Sequence, residues 1–456
     1  MKPRSLMLAL AMALAGASAA QAQQGQVVAL TGAEVIDGTG SAPLHDATVL
    51  IENGLIRQVG PAVDVKIPDD AWHIDYHGKT VLPGLISDHS HLGLVSGTTA
   101  DPAADYTTEN IRRQLHQYVA YGVTTVTSLG VNRPLFYDLQ KQLHAGTLAG
   151  ADIFGADAGI GVPDGAPPFG HVAPDQLFRP ATVEQARAAV KTMAARHPSF
   201  IKVWVDDFHG AVKVKMDPAI YKAVIDEAHR HGIRVAAHVY YLADAKRLVA
   251  DGVDVLAHGI RDVPVDAAFV KAAKAHGIWY IPTLDLDESF YLFAQDQALL
   301  QTPLLAHALS PELKAQFENP GWRAKVLADA KGVAVDKQAL AVNMRNLQLL
   351  HDAGVKIGFG TDSGATPLRI PGFAEHRELA LNVQAGLSPL QTIRLATGQA
   401  AALLGLSDRG VIAPGKRADL LVVDGDPAAD IHALDQIDAV WQRGKPVAAN
   451  LQSYAP

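Results

Sequence analysis

Two histidines two residues apart, His89 and His91, close the apolar run Val81-Leu82-Pro83-Gly84-Leu85-Ile86. Side chains at i and i+2 of a strand lie on the same side, so the two imidazoles converge. Buried imidazoles facing one way are costly unless something satisfies both, and a divalent metal does so. An isolated His-x-His is more often two ordinary histidines. The weighting changes because His238, His258 and Asp362 each stand at the C-terminal end of another apolar run. Lys202 lies inside a further run, Phe200-Ile201-Lys202-Val203-Trp204-Val205, where an unpaired ammonium is costly. Two readings of Lys202 stand side by side. Either its stem snorkels and the head reaches solvent, or carbon dioxide carboxylates N6 and makes an anionic ligand able to bridge two cations. Cysteine is absent from all 456 residues while histidine occurs 19 times. Thiolate chemistry is thereby excluded, and a metal must be held by His, carboxylate or modified side chains.

For these residues to meet, their strands must end on one edge. The middle of the chain alternates apolar strand, loop and amphipathic helix, with several helices closing on glycine, as in Ala228-His229-Arg230-His231-Gly232. Eight such units imply an α/β fold, a closed (β/α)8 TIM-type barrel over residues 81–405, whose strand C-termini share one rim. An open doubly wound sheet competes, but no Gly-rich dinucleotide fingerprint follows a strand. Residues 284–346 are too many for a βα loop and predict a helical insertion over the barrel mouth. Residues 23–80 and 406–456 read as short strands with Asp37-Gly38 and Asn53-Gly54 turns, predicting a small β-sandwich built from both chain ends.

Residues 1–22 read as an address. Lys2 and Arg4 precede the apolar run from Leu6 to Ala15, and Ala20-Gln21-Ala22 supplies a cleavage site. A secretory signal peptide predicts a periplasmic or secreted protein with no membrane attachment after cleavage; an uncleaved anchor is the alternative, although the run is short of the roughly 20 residues of a bilayer span. A composition of 48% hydrophobic and 19% charged residues describes an ordered chain with a large core. The net charge of −8, without a basic block after the leader, gives no footprint for nucleic acid. A homo-oligomer stays open.

Four phrases then carry a resemblance that spans essentially the whole mature chain. They are Leu82-Pro83-Gly84-Leu85-Ile86-x-x-His89-x-His91, Gly122-Val123-Thr124-Thr125-Val126, Gly360-Thr361-Asp362-Ser363-Gly364, and the stretch from Gly410 to Leu420. Together they resemble the amidohydrolase superfamily, in its imidazolonepropionase-related branch with metal-dependent Xaa-Pro-type dipeptidases and carboxypeptidases. The resemblance implies that His89, His91 and Asp362 bind one metal, that His238 and His258 bind a second, and that carboxylated Lys202 bridges them, with zinc the usual metal. Two dications sharing a hydroxide bring the pKa of bound water near neutrality and polarise a scissile carbonyl. Asp362 then serves as general base and acid, or as ligand only.

On the substrate side, the resemblance points to His171, which follows the Pro-rich loop 163–169; here Phe169 and Val172 replace the glycines of the usual Gly-Gly-His-Gly, and a loop histidine capping a carbonyl is the other reading. Tyr240, two after His238, points with it if the strand continues, toward a substrate carboxylate or an oxyanion. Arg369 either recognises a carboxylate or is a solvated loop charge. Pro371 stands where many relatives have His. His229, His231, His276 and His351 suit helix C-termini, and Asp206-Asp207 read as solvated loop carboxylates rather than a third cation site. The leading expectation is an exported dinuclear hydrolase of amide bonds in small molecules, dipeptides or N-acyl amino acids. A mononuclear cyclic-amide or lactone hydrolase is the runner-up, and a non-catalytic periplasmic binding protein the alternative of another class.

Overall fold

The computed structural model describes residues 27–449, so the expected signal peptide lies outside the described residues. Eight parallel strands alternate with helices: β1 Leu85–Ser90, β2 Val123–Ser128, β3 Asp152–Gly155, β4 Phe200–Trp204, β5 Arg234–His238, β6 Val255–Ala257, β7 Trp279–Ile281 and β8 Lys356–Ile357. They form two hydrogen-bonded sheets, β3-β2-β1 and β4-β5-β6-β7-β8. Parallel bridges join them at both seams, Ala156 to Phe200 and Ser90 to Ser363. The fold is thus α/β. β1, β2 and β4 are buried at every position, as expected for parallel strands covered on both faces.

Helix boundaries follow local chemistry. Thr107, Thr182 and Asp266 cap helices Thr108–Ala120, Val183–Ala194 and Ala267–His276 by accepting from a backbone N–H of the first turn. Gly277, with φ of 63°, ends the last of these in the left-handed conformation that glycine takes without penalty.

The expected insertion is helical: short segments at Asp285–Glu288, Leu292–Gln295 and Pro303–Ala306 precede Pro311–Glu318 and Pro320–Ala328. The boundary at residue 346 falls within one continuous helix, Ala330–Asp352. No proline or glycine interrupts the sequence there to signal where a cap would give way to the strand's own helix. Among the described residues, no helix is long and apolar enough to cross a membrane.

Both chain ends meet in a single eight-stranded sheet. Leu420–Asp424 pairs antiparallel with Lys79–Pro83, and the latter pairs with Val28–Val35. Alternation splits the faces of Leu420–Asp424: Leu420 and Val422 pack with Val28, Val49, Val81 and Trp441 in a small core, while Leu421 and Val423 join the main core. Asp152, buried at the start of β3, fastens the C-terminal segment to the parallel strands. It accepts from Arg409 Nη1 at 2.7 Å, Arg417 Nη1 at 2.6 Å and Arg443 Nη2 at 3.2 Å. Removing one side of a buried ion cluster leaves its partners uncompensated. Asp152→Ala is therefore expected to lower unfolding free energy by about 3–5 kcal/mol, read as a lower denaturant midpoint; a change within 0.5 kcal/mol, about that of a surface substitution, would show that the arginines are held elsewhere.

Candidate active site

The C-terminal ends of β1, β5, β6 and β8 deliver the candidate ligands. Asp362 Oδ1 lies 3.2 Å from His89 Nε2 and 3.1 Å from His91 Nε2. β1 ends at Ser90, yet His91 N donates to the Ser363 carbonyl at 2.7 Å, so the extended pairing carries past the strand. The His258 ring stands 4.4 Å from that of His89 and 4.5 Å from that of His238. His89, His258 and Asp362 form a compact buried triad whose ligand atoms lie within 4.8 Å of one another. This triad takes a member from each of the two metal groups expected from the resemblance.

Backbone conformation reinforces the placement. His258 has φ of 121° and Asp362 φ of 63°, both in a region that L-residues rarely adopt and that is held only where surroundings over-determine it. Gly360 has no alternative: a Cβ there would lie 2.6 Å from the backbone N of His89. Glu375, fully buried, ties the segment down. Its Oε1 accepts from Ser87 Oγ (3.1 Å), Thr361 Oγ1 (2.7 Å) and Ser363 Oγ (2.7 Å), and Oε2 accepts from Gly372 N (2.8 Å). The residues on either side of Asp362 are therefore fixed to β1 through one carboxylate.

The donor set fits a divalent metal. Both ring nitrogens of His89 and of His238, Nδ1 of His91, and Nζ of Lys202 are buried with no hydrogen-bond partner. The acid contacts of His89 and His238 are close but not aligned as hydrogen bonds. Buried polar atoms in native proteins are almost always satisfied, and imidazole with carboxylate is the nitrogen and oxygen set that zinc-like ions take. His258 Nδ1 is hydrogen-bonded to Thr283 Oγ1 at 2.9 Å, which fixes the ring as an outer partner of a ligand does. Burial, with Lys202 beside it, pushes the His89 imidazole down to about 3, so it is neutral. Burial likewise pushes Lys202 down to about 7, against the opposing pull of Asp362 and Asp206. For Asp362, burial acts upward, but Arg369 and the surrounding histidines outweigh it and keep the carboxyl ionised, well below its usual range.

Lys202 is fully buried, with Nζ 5.3 Å from the Trp204 ring centroid, so its head does not snorkel to solvent. Asp206 also departs from the expectation of a solvated carboxylate. It is wholly buried, with Oδ1 3.3 Å from His238 Nε2 and accepting from Phe208 N at 3.0 Å, while Oδ2 has no partner. The chain turns inward directly after β4, and no composition signal marks that. Asp207 is the half-exposed member, accepting from Tyr241 Oη at 2.8 Å.

The three expected substrate residues fare differently. His171 stays outside: its side chain is 68% exposed and Nδ1 bonds Asp101 Oδ1 at 2.8 Å. Tyr240 is buried, but β5 stops at His238, so strand alternation does not aim it; its ring lies against His209, with centroids 3.5 Å apart. Arg369 is buried and lines the cavity, contacting Asp362 Oδ2 through Nη1 rather than standing in solvent. The cavity above the candidate ligands holds about 630 Å³, and its walls include Trp204, Phe208, Phe290, Arg261 and Asp336. Glu375 carries no signal in the sequence, and Arg261 only its place three residues after His258.

A parallel α/β array that gathers histidines and one aspartate at its strand ends defines a metal-site hydrolase class. The model of the Amidohydrolase family matches residues 80–447, and the chain belongs to that family. It is 24% identical to the ochratoxinase of Aspergillus niger over 92% of this chain and 87% of the relative. It is 29% identical to an imidazolonepropionase of Cereibacter sphaeroides over 88% and 93% respectively. A crystal structure of a Xaa-Pro dipeptidase with methionine in its active site superposes with a TM-score of 0.73 at 23% identity, covering 93% of this chain and all of the other. These neighbours carry the α/β TIM-barrel-type fold.

Metal binding to ligands that exist only in the folded chain stabilises it by mass action, about 2.7 kcal/mol at a hundredfold excess over Kd. Chelator-stripped protein is expected to gain several degrees in Tm on adding zinc, and His89→Ala to abolish most of that gain. An unchanged Tm for stripped and reloaded protein would mean the nitrogens are satisfied otherwise.

Proposed function

We propose that the protein is an exported, dinuclear metal-dependent hydrolase of amide bonds in small molecules, with dipeptides or N-acyl amino acids as substrates. One observation carries this reading: the unpartnered buried nitrogens of His89, His91, His238 and Lys202 converge with His258 and Asp362 beneath one cavity. His89, His91 and Asp362 would hold one ion, His238 and His258 the other, and N6-carboxylated Lys202 would join them, with zinc the expected metal. Divalent ions there would acidify a water and polarise the scissile carbonyl. Asp362, ionised and held by Arg369 on its second oxygen, takes the proton of the attacking water and passes it to the leaving amine. Trp204, Phe208 and Phe290 give the cavity above it an apolar wall. The relationship to a Xaa-Pro dipeptidase supports a peptide-like substrate.

The two bridged sheets support a closed barrel over 81–405, and the sheet that holds both Val28–Val35 and Leu420–Asp424 supports a second, smaller domain beside it. Export rests on the leader sequence; N-terminal sequencing of the mature protein should start at Gln23. The compact triad His89, His258 and Asp362 favours a second reading, a mononuclear enzyme.

Elemental analysis of active protein separates the two. Two metals per chain are expected, and Lys202→Ala should lose at least one of them with most activity, whereas a single metal at full activity selects the mononuclear form. Asp362→Asn should retain much of the metal, since an amide oxygen still coordinates, but lose roughly 10²-fold or more in kcat, since it cannot shuttle a proton. A near-normal kcat would leave Asp362 a ligand only.

A further inference from the structure

Arg261 follows β6 by four residues, in a loop that its surroundings hold rigid. Asn346 donates to the Ile260 carbonyl at 2.9 Å and accepts from Val265 N at 2.8 Å, and Tyr280 Oη accepts from Ile260 N at 2.8 Å. The side chain is buried, the residue being 2% exposed, yet it lines the cavity together with His238, His258 and Asp362. Its guanidinium lies 5.0 Å from the Tyr240 ring centroid, a cation–π contact that steadies its plane. Of the five N–H donors on a guanidinium, Nη1 donates to Asp287 Oδ1 at 3.0 Å, and Nε has no partner. Asp287 keeps its other oxygen unpartnered as well, so the two groups meet at a single contact rather than as a fork.

A buried guanidinium short of acceptors is costly. The ligand whose shape answers paired N–H donors is a carboxylate. Arg369, the other cavity-lining cation, also keeps Nε unpartnered, but its Nη1 contact goes to Asp362, itself a candidate metal ligand, whereas the Nη1 contact of Arg261 goes to Asp287, outside that ligand set. We infer that Arg261 binds the free carboxylate of the substrate, so that the preferred substrates are amides of amino acids with a free carboxyl group. Asp287, on the insertion helix Asp285–Glu288, anchors the guanidinium from behind. Trp204, Phe208, Phe290 and Pro168 leave an apolar wall for the acyl group. This assignment rests on the amide-hydrolase reading.

The test uses zinc-loaded full-length enzyme with a matched pair, N-benzoyl-L-phenylalanine and its carboxamide, following benzoate release. The wild type should favour the acid by about 10- to 100-fold in kcat/KM, the worth of a charge-assisted hydrogen bond. The double variant Arg261→Met/Asp287→Asn removes both buried charges together, and its ratio should fall close to one through loss of activity on the acid. A wild-type ratio near one, or a ratio unchanged in the double variant, overturns the assignment. If the double variant does not fold, Arg261→Lys replaces it: charge is kept and the fork lost, and the ratio should drop several-fold. If the wild type releases benzoate from neither compound, the hydrolase reading fails for this pair, and isothermal titration decides the carboxylate question alone. Acid bound at least tenfold tighter than carboxamide by wild type but not by the variant supports Arg261; equal binding overturns it.

Discussion

The structure depends on keeping one carboxylate ionised where water is scarce. Asp362 is buried, and burial pushes its carboxyl pKa upward. It stays charged chiefly because the Arg369 guanidinium contacts one oxygen, while the rings of His89 and His91 lie close to the other. Each of these partners is itself buried, so the arrangement is self-consistent only when all are present in fixed geometry. The backbone bears part of that cost in the positive φ at Asp362 and at His258. Glu375 explains why the strained segment does not relax: hydroxyls of Thr361 and Ser363, flanking Asp362, converge on its Oε1 together with Ser87 from β1.

The residues that make this centre were legible in the sequence because chemistry and periodicity coincide there. His89 and His91 are spaced for one side of an extended strand, and His238, His258 and Asp362 end apolar runs, so a parallel array brings them together without knowledge of any loop. The joining of the chain ends was legible for a similar reason, since strands at both termini need partners. Loops were opaque. Asp206 reads as a solvated acid until the turn after β4 folds it beneath His238. His171 reads as a substrate contact until Asp101 holds it outside. For Tyr240 the alternation used to aim it requires a strand, and the strand ends two residues earlier. Glu375 carries no signal at all in one sequence: a glutamate in the first turn of helix Phe373–Gln384 is ordinary, and only the tertiary fold shows that it is buried.

That division has a physical basis. Positions on strands are set by backbone hydrogen bonds repeated along a ladder, so a pattern in sequence maps to a place in space. Positions in loops are set by single contacts, such as Asn346 with Ile260 and Val265, between residues more than 80 apart in the chain. Such a contact leaves no period to detect.

The same division separates the parts of the cavity. Its floor comes from strand ends, and the chain is similar over most of its length to two relatives with different names, an ochratoxinase and an imidazolonepropionase. What differs must reside where strands do not dictate position. In this chain the relevant places are the turn after β4, which supplies Phe208, the loop after β6, which supplies Arg261, and the insertion, which supplies Phe290. Arg261 and Asp287 join two of these three, linking the β6 loop to the insertion across the cavity wall. Helix Asp285–Glu288 is fastened on its other side by Arg377 to Glu288, with Nε and Nη2 donating at 2.5 and 2.7 Å. This short helix is therefore held by charges on both flanks. Arg261, which lines the cavity, is positioned by helix Asp285–Glu288 as much as by its own loop, so the segment that carries this helix helps to shape the cavity wall.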